Sequence, residues 1–156
     1  MKKKISLVLL VIMVTLLCSA CGKKEENIKG NLPDLMNKLY ENLDGFSTEN
    51  LQQVAFTKDE QEYFIGDVSF DYKEALASEP VMSSVAHSVV LIRLNSAKDA
   101  EKAKKEIKEK VNPRKWICVE VEEKNVIVES RGDLVLLAMD NQYSGAIKEN
   151  FLNLKN

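Results

Sequence analysis

Two stretches decide the fold of this chain: AHSVVLIRL at Ala86–Leu94 and SRGDLVLLAMD at Ser130–Asp140. In the first, Val89, Val90, Leu91 and Ile92 follow one another without a polar residue, the pattern of a strand covered on both faces. KEALASEPV precedes it and reads as a second strand, turning back at Pro80 to Ser84. DLVLLAMD is joined to NVIVES through Arg131-Gly132-Asp133, where a glycine between polar residues supplies a hairpin turn. Arg-Gly-Asp is also an adhesion tripeptide, but turn geometry accounts for it here. Sequential hairpins of this kind predict an α+β domain: a small antiparallel sheet of about four strands with amphipathic helices packed on it.

The helices are read from apolar spacing. NLPDLMNKLYENLDG places Leu32, Leu35, Met36, Leu39, Tyr40 and Leu43 on one face, with Pro33 in the first turn and Gly45 as the stop. STENLQQVAF and TKDEQEYFIG read as shorter helical pieces, the second with Thr57 and Glu60 at capping-box spacing. SAKDAEKAKKEIKEKV buries a stripe from Ala97 to Val111, and NQYSGAIKENFLNL closes the chain by packing Tyr143, Ile147, Phe151 and Leu154. NPRKWICVEVEEK is ambiguous: Asn112-Pro113 starts a helix, while Ile117, Val119 and Val121 alternate like a strand. The helix is the preferred reading.

At the N-terminus, Lys2, Lys3 and Lys4 precede an apolar run from Ile5 to Leu17, followed by the small residues Ser19 and Ala20 before Cys21. A basic head, short apolar core and small residues make a secretory signal, and the core is short of the roughly 20 residues that span a bilayer. Cys18 and Cys21 form a C-x-x-C, which elsewhere marks a redox pair or half a zinc site. A zinc site needs two further ligands, and the rest of the chain offers only His87 and Cys118.

Ser19-Ala20-Cys21 instead resembles the lipobox of a bacterial lipoprotein precursor, with Cys18 standing where that pattern usually has Leu. The resemblance implies cleavage after residue 20 and a diacylglyceryl group on Cys21, two acyl chains being what stable anchoring takes. Residues 21–30 then form a lipidated flexible tether, and residues 31–156 a single extracytoplasmic domain. No other cofactor and no metal is expected.

The chain carries 22 basic and 24 acidic residues. Loss of the signal removes three of the lysines, so the remainder is more acidic, which argues against general nucleic-acid binding. Between Glu41 and Glu79 there are ten acidic residues and two basic, whereas Lys98–Lys115 holds eight basic and four acidic. The second segment is either a solvated helix face or a surface for anionic lipid or wall polymer.

The blocks EALASEPVMSSVAHSVVLIRL, NPRKWICVEVE and SRGDLVLLAMD, together with the lipoprotein signal, resemble the small bacterial lipoproteins grouped as "domain of unknown function 4358". The resemblance covers about Leu35 to Phe151. It implies an exported, lipid-anchored domain on the outer face of a Gram-positive cell membrane, and brings no catalytic residues with it.

Candidate chemistry is sparse. His87 is the only histidine and stands near Ser83, Ser84 and Ser88, so a hydrolase would use it as general base toward a serine or toward Cys118. No G-x-S-x-G elbow accompanies it. Cys118, between Ile117 and Val119, reads as a buried thiol, and Trp116 as a core anchor. Calcium-loop, Walker, HExxH and GxGxxG patterns are absent from the sequence. The expectation is a non-enzymatic envelope module that binds a protein, peptide or small ligand, with the His87 hydrolase as the alternative.

Overall fold

The computed structural model describes residues 27–156, so the signal peptide and Cys21 lie outside the described residues. Five antiparallel strands form one sheet in the order β1-β2-β3-β5-β4: β1 Leu51–Ala55, β2 Tyr72–Pro80, β3 His87–Leu94, β4 Val126–Arg131 and β5 Leu134–Asp140. Four α-helices cover it: α1 Leu32–Leu39, α2 Gln61–Ile65, α3 Ala100–Lys110 and α4 Ser144–Leu152. The α+β class and the antiparallel sheet are those expected, with five strands where about four were.

Alternation along the central strands divides the core in two. Val89, Leu91, Leu134, Leu136 and Ala138 face α1 and α4, packing on Leu35, Met36, Leu39, Ile147 and Phe151. Val90, Ile92, Leu94, Val135, Leu137 and Met139 face the other way, under Ile65, Ala103, Ile107, Trp116 and Val121. Every residue of β5 is buried, so the unbroken apolar runs are explained by helices on both faces. Trp116 is a core anchor, as expected.

The additional strand is β1, where the sequence reads as a helical piece. Leu51–Ala55 pairs in register with Leu76–Pro80, and that ladder outweighs any local helical preference in a segment of only five residues. The segment 113–121 is neither the helix preferred nor the strand considered. Asn112 Oδ1 accepts from the Arg114 N–H, and the N–H groups of Ile117 and Val121 donate to Ser83 and Pro113 carbonyls. Cys118 has φ +60°, a left-handed conformation that interrupts either regular element. The Cys118 side chain is exposed, against the buried thiol expected.

α1 also ends a turn sooner than Gly45, at Leu39, with Asn31 accepting from the Asp34 N–H as N-cap and Tyr40 as C-cap. Tyr40 is thereby released from the helix and turns toward the sheet.

Asn27–Gly30, assigned to the tether by composition, pack against the domain. Ile28 is buried in the α1/α4 core, and Arg93 donates to the carbonyls of Ile28 and Gly30, both at 2.8 Å. Asn27 Oδ1 accepts from the Asp133 N–H at the β4–β5 turn. Gly132 there has φ +57°, and a Cβ on it would lie 2.5 Å from Asn27 Oδ1. The described chain therefore begins at the end of the sheet where β3 finishes and β5 starts, opposite His87. Ile28→Ala should cost about 2–5 kcal/mol in urea unfolding; an undocked tether would show no loss.

Candidate functional site

The apolar middle of the sheet gives way to a concentration of buried polar residues where β2 and β5 finish and β3 starts. Strand alternation splits them into two clusters on opposite faces.

On the α1/α4 face, the register sets His87 opposite Asp140. His87 Nδ1 lies 2.8 Å from Asp140 Oδ2, and its Nε2 lies 3.0 Å from the Tyr40 hydroxyl. Asp140 Oδ1 accepts from the N–H groups of Gln142 and Tyr143, both at 2.7 Å, so the same carboxylate secures the start of α4. Burial alone would push the Asp140 carboxyl up, but hydrogen bonds from His87, Tyr143 and Gln142 outweigh it and hold the group below the usual range. Burial pushes the Tyr40 hydroxyl far above the ordinary phenol range, with Glu79 and Asp140 acting in the same sense against a hydrogen bond from Ser78. Tyr40 keeps its proton and donates it to Nε2. His87 Nδ1–H then donates to ionised Asp140, which fixes the tautomer. Phe46 packs over this array, 4.9 Å from the Tyr40 ring and 5.5 Å from His87 between centroids.

On the other face, Ser88 donates to Glu79 Oε1, and Lys115 Nζ donates to the same oxygen at 2.8 Å and to Ser88 Oγ at 3.1 Å. The Lys115 and Glu79 side chains are 3% and 6% exposed, a fully interior ion pair. The ammonium also sits 4.5 Å from the Tyr63 ring centroid and 5.3 Å from that of Trp116. Burial pushes Lys115 below the ordinary lysine range, opposed by the charge and hydrogen bond of Glu79. Glu79 Oε2 and the Trp116 indole N–H have no partner among the described residues.

Beside the first cluster lies a groove of about 360 Å³. Phe46, Leu51, Pro80, Met82, Val85 and Tyr143 form its apolar walls, with His87 and Asp140 at its floor. Its rim continues into an apolar tip: Val81, Met82 and Val85 of the β2–β3 turn are 64%, 55% and 42% exposed. Ile117, 64% exposed, is bound to that turn through its N–H on the Ser83 carbonyl at 2.8 Å. A wider cleft of about 910 Å³ runs past α2 and the end of α3, edged by Asp59, Glu62, Asp67, Tyr63, Lys110 and Lys115.

The structure does not assemble the serine or thiol dyad considered from the sequence. Both ring nitrogens of His87 are engaged by Tyr40 and Asp140, Ser88 points to the opposite face, and Cys118 is at the surface. Among the described residues, no three His, Cys, Asp or Glu side chains gather as a metal-binding group. The Lys-rich α3 is largely self-neutralised. Lys102 and Lys110 pair with Glu106, Lys104 with Glu101 and Glu129, and Lys108 donates to the carbonyls of Glu123 and Val126. Sequence reasoning missed Tyr40, Asp140, Glu79 and Lys115. The available signal was, for Asp140, a charged residue at the end of an otherwise apolar strand, LVLLAMD.

The class defined is thus a helix-covered five-stranded antiparallel domain with one polar-floored groove. No protein-family model, curated protein or solved structure matches the chain.

Because the Asp140 pKa is depressed on folding, its contribution is present above the unfolded carboxylate value of about 4 and is lost as pH falls through the folded one. Thermal melting below pH 5 should therefore fall less steeply in Asp140→Asn than in the wild type, from a lower starting point. Lys115→Met should cost about 3–5 kcal/mol by stranding Glu79, while the double variant with Glu79→Leu should recover most of it. Urea titration of the three proteins measures both differences.

Proposed function

We propose that this chain is a lipid-anchored protein on the outer face of the cell membrane, related to the lipoproteins its sequence blocks resemble. Its folded domain acts as a non-enzymatic binding module of the Gram-positive envelope. The observation that carries the reading is the placement of the groove and apolar tip. They occupy the end of the sheet opposite Asn27, the side from which residues 21–26 would lead to Cys21. β3 has eight residues, so at roughly 3.3 Å each the two ends stand about 25 Å apart. A lipid on Cys21 would hold the Asn27 end toward the bilayer and present the groove outward. Apolar walls with a few placed polar groups are the usual composition of a ligand pocket, the polar groups fixing orientation and the walls supplying contact area.

The arrangement is testable in a Gram-positive host. An alkynyl palmitate analogue should label the wild type and not Cys21→Ala, which should be released into the medium. A photo-cross-linking residue at Met82 should trap a discrete partner or ligand, while one at Lys155 should not. Labelling of Cys21→Ala, or equal trapping at both ends, would overturn the reading.

A further inference from the structure

The two edges of the sheet differ. β4 is guarded: Lys108 donates to the Val126 carbonyl, the Glu129 carboxylate accepts from the Ser130 N–H, and α3 packs alongside. β1 is open. Its ladder with β2 includes the bonds from Val81 N–H to the Asn50 carbonyl and from Phe56 N–H to the Ala75 carbonyl. Antiparallel pairing alternates, so Asn50, Gln52, Val54 and Phe56 turn their backbone groups toward β2, and Leu51, Gln53 and Ala55 turn theirs away. The Leu51 N–H bonds the Thr48 carbonyl. The Leu51 carbonyl and both backbone groups of Gln53 and Ala55 have no partner among the described residues.

We propose that β1 is a strand-addition site for an extended basic peptide segment, whose apolar side chains would enter the groove at Leu51. This rests on the binding-module reading and names its partner class. Main-chain pairing would supply affinity, and the groove would select side chains at alternate positions. The charge of the flanking chain selects the partner. In the chain flanking β1, Glu41, Asp44, Glu49, Asp59 and Glu62 are exposed, and Lys58, the single basic residue from Glu41 to Glu62, is held by Asp71. The same acidity opposes edge-to-edge pairing of two copies of this chain.

The probe is a fluorescent ten-residue peptide alternating Lys and Val, titrated against the full chain in zwitterionic nanodiscs and followed by anisotropy. Binding should weaken as salt rises, and a Glu/Val peptide should bind at least tenfold more weakly. Gln53→Pro should also reduce affinity at least tenfold. It removes an outward N–H from an edge strand, a place where proline is tolerated, together with one exposed side-chain hydrogen bond to Asn37, so its melting temperature should stay near the wild type's. N-methylation of alternate peptide amides provides the same test on an unaltered protein. Equal binding of the two peptides, binding indifferent to N-methylation, or a wild-type dimer that Gln53→Pro dissociates would each overturn the proposal. Met82→Asp, with the cross-linking residue moved to Val85, separates it from the groove reading: loss of cross-linking at Val85 with peptide binding retained defeats the groove alone.

Discussion

The organisation of this molecule depends on the exclusion of water from both faces of β3 and β5. Residues Val89–Ile92 and Leu134–Met139 are wholly buried, and no arrangement with one solvated face could accommodate them. Helices must therefore lie on both sides, α1 with α4 on one and α2 with α3 on the other. The same constraint removes polar groups from the middle of the sheet. Where the strands finish, His87, Ser88, Glu79 and Asp140 are still buried, and each needs a partner supplied from within the protein. Tyr40 and Lys115 are those partners, one from the end of α1 and one from the segment before Val121. Both lie in irregular backbone, since a regular helix or strand would not have brought them to the sheet end.

The central strands, the β4–β5 hairpin, α3 and α4 are legible in the sequence because their side-chain period matches their burial. β1 is not. Its period is weak because all five of its residues are exposed or half-exposed, and the ladder to Leu76–Pro80 is a contact between distant residues. Residues 113–121 defeat the reading for a different reason. The apolar residues Trp116 and Val121 do enter the core, but Ile117 faces water, so their spacing carries no single period. Cys118 between apolar neighbours looks buried, yet its left-handed backbone turns the segment there and leaves the thiol outside. Of the candidate site, His87 was visible as the lone histidine. Its companions were not, because pairing across β3 and β5 depends on register, which no local pattern reports.

Ends and edges break the symmetry of this sheet in a consistent way. At the end near Asn27 and the β4–β5 turn, Arg93 and Arg131 are spent on backbone carbonyls that hold the terminal segments in place. The opposite end carries the exposed turn residues and the groove. The guarded edge lies beside the lysines of α3, which serve as internal partners there. The open edge is flanked in the chain by exposed carboxylates. Acidic and basic segments that look like separate surface patches in the sequence are each divided: Lys108 and Lys115 are drawn into the structure while Lys102 and Lys105 stay exposed, and Glu79 is interior while Glu41, Asp44, Glu49, Asp59 and Glu62 stay at the surface.

The two polar clusters differ in what they can offer a ligand. Proton transfer needs a group with a free atom aimed at the reacting partner and a pKa near the working pH. Neither cluster is arranged that way. Tyr40 holds its proton because burial raises its pKa, Asp140 stays ionised because three hydrogen bonds lower its own, and His87 is committed at both nitrogens. Lys115 and Glu79 neutralise one another, and Ser88 donates to the carboxylate instead of facing a cleft. In the groove with Phe46 and Tyr143 on its walls, the His87–Asp140 pair is therefore held in place by the fold's own hydrogen bonds.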